Sequence, residues 1–140
     1  MKTILPVENG DVLAAIQGFL RKLLEAGVVE ALLTPMRTPA GTIAPALVCD
    51  PALLFAADPL APVLPVNAAT LAGKLSVKEP RARVGVVLRA CELRALVELT
   101  KLQQANLGSL TLITIDCAGT CSVPAYQRAT ASTKGQEIRL

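Results

Sequence analysis

The chain has 140 residues, of which 52% are apolar and 2% aromatic, and its formal net charge is +3. This length and apolar content suit one domain with an aliphatic core, while the mild charge and scarce aromatic rings exclude a nucleic-acid surface built on stacked bases. Histidine is absent, which excludes the commonest general base and every Ser-His or Cys-His pair. Any chemistry must therefore come from Cys, Asp, Glu, Lys, Arg or a bound cofactor.

The apolar stretch near the start of the chain does not resemble an export signal. Residues 13–29 are interrupted by Arg21, Lys22 and Glu25, which predicts neither a signal peptide nor a membrane span. Without export, the four cysteines are expected to be thiols or metal ligands rather than disulfides. We therefore expect a cytoplasmic protein that is bound to a larger complex.

The first fifty residues predict an amphipathic helix followed by a β-hairpin. After Asp11, a plausible N-cap, apolar residues recur at three- and four-residue spacing over 12–24, which indicates a helix with one apolar face. Two apolar runs, 28–35 and 42–49, flank a turn rich in Pro, Thr and Gly and predict paired strands. Pro45 places the second strand at an edge of the sheet or at a bulge.

Short elements and a proline-rich connector occupy the middle of the chain. Residues 50–56 predict a short helical turn, and the three prolines within 58–65 predict an extended connector. A short helix is expected over 67–75, with Asn67 at its start, followed by a charged loop over 76–83.

The second half of the chain predicts a strand–helix–strand unit. Apolar runs at 84–88 and 110–115 flank a leucine-rich helix predicted over 92–106. Parallel strands need a crossover of this length, which is nearly always right-handed. A last helix is expected over 122–133, and the polar residues 134–140 are expected to fray. The whole chain therefore predicts a single small α/β domain with a mixed sheet.

Three cysteines follow the ends of these two predicted strands. Cys91 comes just after the first strand, and Cys117 and Cys121 come just after the second. The carboxyl ends of parallel strands share one edge, where open α/β sheets bind ligands, and thiolates suit iron–sulfur clusters or zinc. One alternative is that the cysteines are small buried residues. Another is that Cys117 and Cys121 form a redox-active dithiol, although their spacing is not the usual Cys-x-x-Cys. Cys49 stands alone and is expected to be buried.

Several other residues could contact an anionic cofactor. Guanidinium groups match phosphate geometry, and main-chain N–H groups in a Gly-containing turn can bind phosphate or cluster sulfur. The alternatives are solvated arginines, an ordinary turn and a helix cap. No glycine-rich phosphate loop and no dinucleotide fingerprint are present. The candidate contacts are Arg83, Arg89, Arg94, Gly119, Thr120 and Asn67.

The segment VVLRACELRALVELTKLQQANLGSLTLITIDCAGTC resembles the β-subunit family of coenzyme F-420 (deazaflavin) hydrogenases and related dehydrogenases. The similarity extends over residues 61–122 and is carried by the motifs at 89–96 and 116–120. Residues 65–69 are similar to the subgroup that accompanies formate dehydrogenases and heterodisulfide-reductase-like complexes. Ala90 stands where the family has proline.

The resemblance implies an iron–sulfur flavoprotein in which a four-iron, four-sulfur (4Fe–4S) cluster lies beside a flavin (FAD). By that resemblance Cys91 and Cys117 are cluster ligands, and loops at the same edge contact the flavin. Cys121 is a third candidate ligand, in a place where many relatives have no cysteine. Relatives continue beyond the length of this chain with more cysteines. Either Cys49 or a partner chain therefore supplies the fourth ligand, or the cluster is lost.

Two functions follow as expectations. The first is an electron-transfer subunit or fragment of an iron–sulfur flavoprotein oxidoreductase, working with larger redox subunits that carry further clusters. In this function Arg89 and Arg94 offset the negative charge of the cluster, and N–H groups around Gly119 bond its sulfurs. The alternative is a non-catalytic assembly subunit that keeps the fold without the cofactors.

Overall fold

The computed structural model describes residues 4–78 and 81–132, which form one small α/β domain with a mixed sheet, as predicted. The expected frayed tail, 134–140, lies outside the described residues. Two short 3-10 helices occupy Pro51–Ala56 and Leu107–Ser109. The longer elements are α1 (Val12–Glu25), β1 (Ala31–Arg37), β2 (Ile43–Val48), α2 (Ala68–Val77), β3 (Val84–Arg89), α3 (Ala90–Lys101), β4 (Leu110–Ile115) and α4 (Val123–Ser132).

The four strands form one sheet in the order β2-β1-β3-β4. The antiparallel pair of β1 and β2 confirms the predicted hairpin, and the edge position of β2 accounts for Pro45. β1 pairs parallel with β3, and β3 pairs parallel with β4. The predicted strand–helix–strand unit is therefore β3–α3–β4, while its right-handed crossover stays a prediction.

Apolar side chains cover both faces of the sheet. Every residue of β3 is buried, as expected for a strand with parallel neighbours on both sides. On one face the core contains Leu33, Val84, Val86, Leu88 and Leu96, together with alanines of α2. On the other face it contains Leu20, Leu24, Leu32, Leu54 and Val87.

Several element ends differ from the predicted bounds, and for two of them the structure shows a local cause. β1 begins at Ala31 rather than at residue 28, because the N–H groups of Val28 and Val29 both donate to Leu23 O and complete the end of α1. α3 ends at Lys101 rather than at residue 106, because Gln103 has a φ of 59°, which a right-handed helix does not allow. α1 starts as predicted, with Ala14 N donating to Asp11 Oδ1 over 2.9 Å.

Replacement of Gly85 in β3 is expected to destabilise the fold. A Cβ atom there would lie 2.7 Å from Leu32 Cδ2 and 3.2 Å from Val29 Cγ1, and both neighbours are fully buried. Gly85→Ala should lower the free energy of unfolding by about 1–3 kcal/mol, the usual cost of overpacking. Chemical denaturation monitored by circular dichroism would measure the change.

Gly18→Ala is the matched control, because no heavy atom lies within 4 Å of the Cβ position at Gly18 in α1. Removing an interior helix glycine should raise the free energy of unfolding by about 0.5–1 kcal/mol. The two substitutions are thus expected to have opposite signs, and equal stability of both variants would contradict the close packing at Gly85.

Candidate functional site

Cys91 and Cys117 occupy matched positions at the carboxyl edge of β3 and β4. Arg89 and Ile115, the last residues of the two strands, are directly paired in the parallel register. Cys91 lies two residues beyond Arg89 in the first turn of α3, and Cys117 lies two residues beyond Ile115. Both are exposed, free thiols, so both are accessible to a ligand at this edge.

Cys121 is held against the proline-rich connector. Its N–H donates to Pro62 O over 2.8 Å, and its Sγ lies 3.1 Å from the same oxygen. An isolated parallel bridge also joins Cys121 to Val63. We call residues 61–63 the strap, because Ala61 and Val63 are buried and anchor it in the fold. The strap, which lies about sixty residues earlier in the chain, thus attaches the third thiol, Cys121, to the domain.

Cys49 lies at the opposite end of the sheet and is exposed, so the prediction that it is buried was wrong. It follows β2, whose last residue, Val48, is level with Leu32 of β1 and hence with Gly85 of β3. Cys91 follows Arg89, four residues farther along β3, which corresponds to about 13 Å of strand. Cys49 therefore cannot join the other three thiols without rearrangement of the sheet.

The thiols do not form a ready-made metal site. Across residues 4–78 and 81–132, no group of three or more Cys, Asp or Glu side chains is arranged to hold a metal ion. Exposed free thiols suit iron–sulfur chemistry, but a 4Fe–4S cluster takes four of them, and only Cys91, Cys117 and Cys121 follow strands of the β3–β4 pair. The predicted ligand set stays a prediction.

Arg89, a predicted cofactor contact, is buried, with 4% of its surface exposed. Its Nη2 donates to Ala61 O and, over 3.2 Å, to Val63 O. Its Nη1 is also buried and has no hydrogen-bond partner in the described part of the chain. Arg89 and Glu92 line a cavity of about 10 Å³, room for about one water molecule. The guanidinium therefore bonds main-chain carbonyls of the strap and is not presented to a ligand at the exposed edge.

Glu92 is a second buried charge, and it was not among the residues predicted from the sequence. Its side chain is 1% exposed, with Oε2 accepting from Arg89 N over 3.0 Å and Oε1 accepting from Ala68 N over 2.8 Å. One carboxylate thus binds the first turns of both α3 and α2. A Glu three residues after the N-cap that bonds the N-cap N–H is half of a capping box. Arg89 stands where that motif has Ser or Thr, so only the spacing of Glu92 from the strand end could have revealed it.

The other candidate cofactor contacts differ in their surroundings. Arg94, Gly119 and Thr120 are exposed, and Gly119 has a φ of 124°, which favours glycine. Asn67 Oδ1 accepts from Ala69 N over 2.9 Å, so its side chain is engaged as the cap of α2. The structure therefore leaves Arg94 and the 119–120 turn accessible, whereas Asn67 is used by the fold.

Tyr126 of α4 packs beside the strap and was also missed from the sequence. It belongs to a small core with Ile43, Ala61 and Val63. Burial raises the pKa of its hydroxyl, with Asp58 and Cys121 adding to the rise and Arg37 opposing it.

Comparison with known proteins finds no protein-family model and no curated protein that matches this chain. The resemblance to the coenzyme F-420 hydrogenase β-subunit family therefore stays a prediction based on the motifs quoted above. Among the residues that the structure describes, no helix has the length and apolar character needed to cross a membrane.

Proposed function

We propose that this chain is an electron-transfer subunit, or a fragment of one, in a cytoplasmic iron–sulfur flavoprotein oxidoreductase. The observation that supports the proposal is the matched placement of Cys91 and Cys117, each two residues beyond the registered pair of Arg89 and Ile115. Neighbouring strands lie about 4.8 Å apart. Two thiolates that leave such strands at the same level start close enough to ligate one inorganic centre.

Few residues of this chain could supply the remaining ligands of a 4Fe–4S cluster. Cys49 is excluded by its position at the far end of the sheet. Cys121 is the third candidate, since the strap holds it beside the fold, and the fourth ligand would come from a partner subunit of the redox complex. When bound, such a cluster supplies one-electron transfer between donor and acceptor.

The exposed groups at this edge would tune the centre and contact a flavin. Arg94 contributes a positive charge, and the turn at Gly119 and Thr120 contributes main-chain N–H groups. Hydrogen bonds and positive charge near a cluster favour its reduced, more negative state. These residues, rather than the engaged Asn67, are the flavin (FAD) contacts that the proposal favours.

Anaerobic reconstitution with iron and sulfide tests the proposal. The reconstituted chain should contain iron and sulfide in equal amounts and absorb broadly in the blue, and Cys91→Ser and Cys117→Ser should each remove most of both. Cys49→Ser is the matched control, because this exposed thiol lies at the other end of the sheet, and it should retain the full iron content. Because the fourth ligand would come from a partner, the reconstitution contains excess free thiol in its place, and a colourless, iron-free wild-type protein under these conditions would refute the proposal.

The alternative is an assembly subunit without cofactors, and one feature favours it. The N-terminal arm, residues 4–8, and α1 form an open groove of about 620 Å³ whose walls include Ile4, Leu5 and Phe19. These three apolar side chains are exposed, and apolar grooves are typical of protein-binding surfaces. The same reconstitution distinguishes the two functions, since a protein that stays free of iron when supplied with iron and sulfide supports the assembly function.

A further inference from the structure

We propose that Arg89 is a positioning residue that fixes Cys121, through the strap, beside the carboxyl edge of β3 and β4. We call this edge the thiol edge, because Cys91 and Cys117 follow it. The hydrogen bonds run from the Arg89 guanidinium to the strap and from the strap to Cys121. The positioning itself is a property of the folded chain. Its consequence for a cluster rests on the function proposed above.

The first step joins Arg89 to the strap. A buried guanidinium is costly unless its N–H groups are bonded, and Nη2 finds its acceptors in the carbonyls of Ala61 and Val63. Ala61 and Val63 are almost fully buried, at 3% and 2% exposure. Ala61 O also accepts from Val63 N over 2.8 Å, so loss of the guanidinium would remove the donor mainly from the buried Val63 carbonyl. The guanidinium and the strap therefore hold each other in place.

The second step joins the strap to Cys121. Pro62 lies at a bend that is closed by the bond from Val63 N to Ala61 O over 2.8 Å, and its carbonyl has a different partner from those of its two neighbours. It accepts the Cys121 N–H over 2.8 Å and contacts Sγ at 3.1 Å. The strap therefore presents two carbonyls to Arg89 and the intervening carbonyl to Cys121, which makes the position of the thiol depend on the guanidinium.

The third step joins Arg89 to Cys91. Arg89 is the last residue of β3 and the N-cap of α3, two positions before Cys91. Its own N–H is held by Glu92 over 3.0 Å. Arg89 thus supports Cys91 through the main chain and Cys121 through its side chain.

Hydrogen exchange of the full chain, resolved to single amides, tests the proposal. Arg89→Met keeps most of the side-chain volume but removes the donors. It should increase the exchange rates of the Cys121 and Val63 amides at least ten-fold, because these amides donate to the strap carbonyls of Pro62 and Ala61. Amides in the middle of α1 should be unchanged. Arg94→Met, at an exposed position of α3, is the matched control and should change neither.

A conservative variant separates positioning from general packing. Arg89→Lys retains one charged donor group, so it should restore part of the protection at Cys121, and it also supplies the test if Arg89→Met does not fold. Unchanged exchange at Cys121 in the folded Arg89 variants would overturn the proposal. An equal increase throughout α1 and the strap would also overturn it, since that result indicates only loss of global stability.

Reconstitution of the same variants distinguishes this proposal from the function on which its consequence rests. Arg89→Met and Cys121→Ser should lower the iron content to a similar extent, by at least half. If wild-type protein binds no iron but Arg89→Met still frees the Cys121 amide, the proposed function fails and the positioning stands. If wild-type protein binds iron and Arg89→Met leaves Cys121 protected, the positioning fails and the proposed function stands.

Discussion

Glu92→Gln is expected to lower the free energy of unfolding by about 3 kcal/mol. The wild-type carboxylate is 1% exposed and accepts one main-chain N–H at each oxygen, from Arg89 and from Ala68. A glutamine side chain has one acceptor oxygen, so its NH₂ group would face one of the two N–H donors. A buried donor left without an acceptor costs about 1–3 kcal/mol, and hydrogen bonds to a charged group are worth about 1.5–3 kcal/mol.

Glu98→Gln provides the matched control on the same helix. The Glu98 side chain is 64% exposed and forms an ion pair with Lys101 at 2.7 Å. Exposed pairs of this kind contribute about 0–1 kcal/mol, so the control should change stability by less than about 1 kcal/mol. Urea denaturation followed by circular dichroism gives both values. If the two variants are equally stable, the buried carboxylate does not hold α2 and α3 as we describe.

Leu96→Ala is expected to lower the free energy of unfolding by about 2–5 kcal/mol. Leu96 is fully buried on the inner side of α3, where it belongs to the same core as Val86 and Leu88 of β3. Truncation removes apolar burial and leaves a cavity that the surrounding side chains fill only in part, and the two effects add. Because α3 carries Cys91, the loss should also loosen the thiol edge.

Leu102→Ala tests whether the effect depends on burial rather than on the loss of a leucine. Leu102 caps the end of the same helix and is 66% exposed, so its truncation should change stability by about 0.5 kcal/mol or less. Thermal or urea unfolding of both variants measures the difference. A Leu102→Ala variant as unstable as Leu96→Ala would mean that α3 does not pack as the structure shows.

Local sequence patterns were sufficient for most of the secondary structure. The three- and four-residue spacing after Asp11 predicted α1, and the two apolar runs on either side of the turn at 36–41 predicted the hairpin. Asn67 was recognised as a possible cap and is one. These features are set by residues within one or two turns of each other, so neighbouring side chains and the main chain are enough to specify them.

The candidate site was predictable only in part, because its contacts join distant segments. That Cys91 and Cys117 follow two parallel strands could be predicted, since strand ends are visible as the ends of apolar runs. The hydrogen bond between Pro62 and Cys121 could not be predicted, because these residues are 59 positions apart. Cys49 was expected to be buried, and only the antiparallel direction of β2 shows that it lies at the far end of the sheet.

The sequence by itself determined the helices, the strands, the α/β class and the two cysteines that follow the parallel strands, because each depends on short-range periodicity and on where apolar runs end. Only the tertiary structure decided that Arg89 and Glu92 are buried. Charged side chains are mostly exposed, and these two are buried because their partners, the carbonyls of the strap and the N–H of Ala68, come from segments more than twenty residues away. Burial of a charge depends on partners that meet it only in the folded chain.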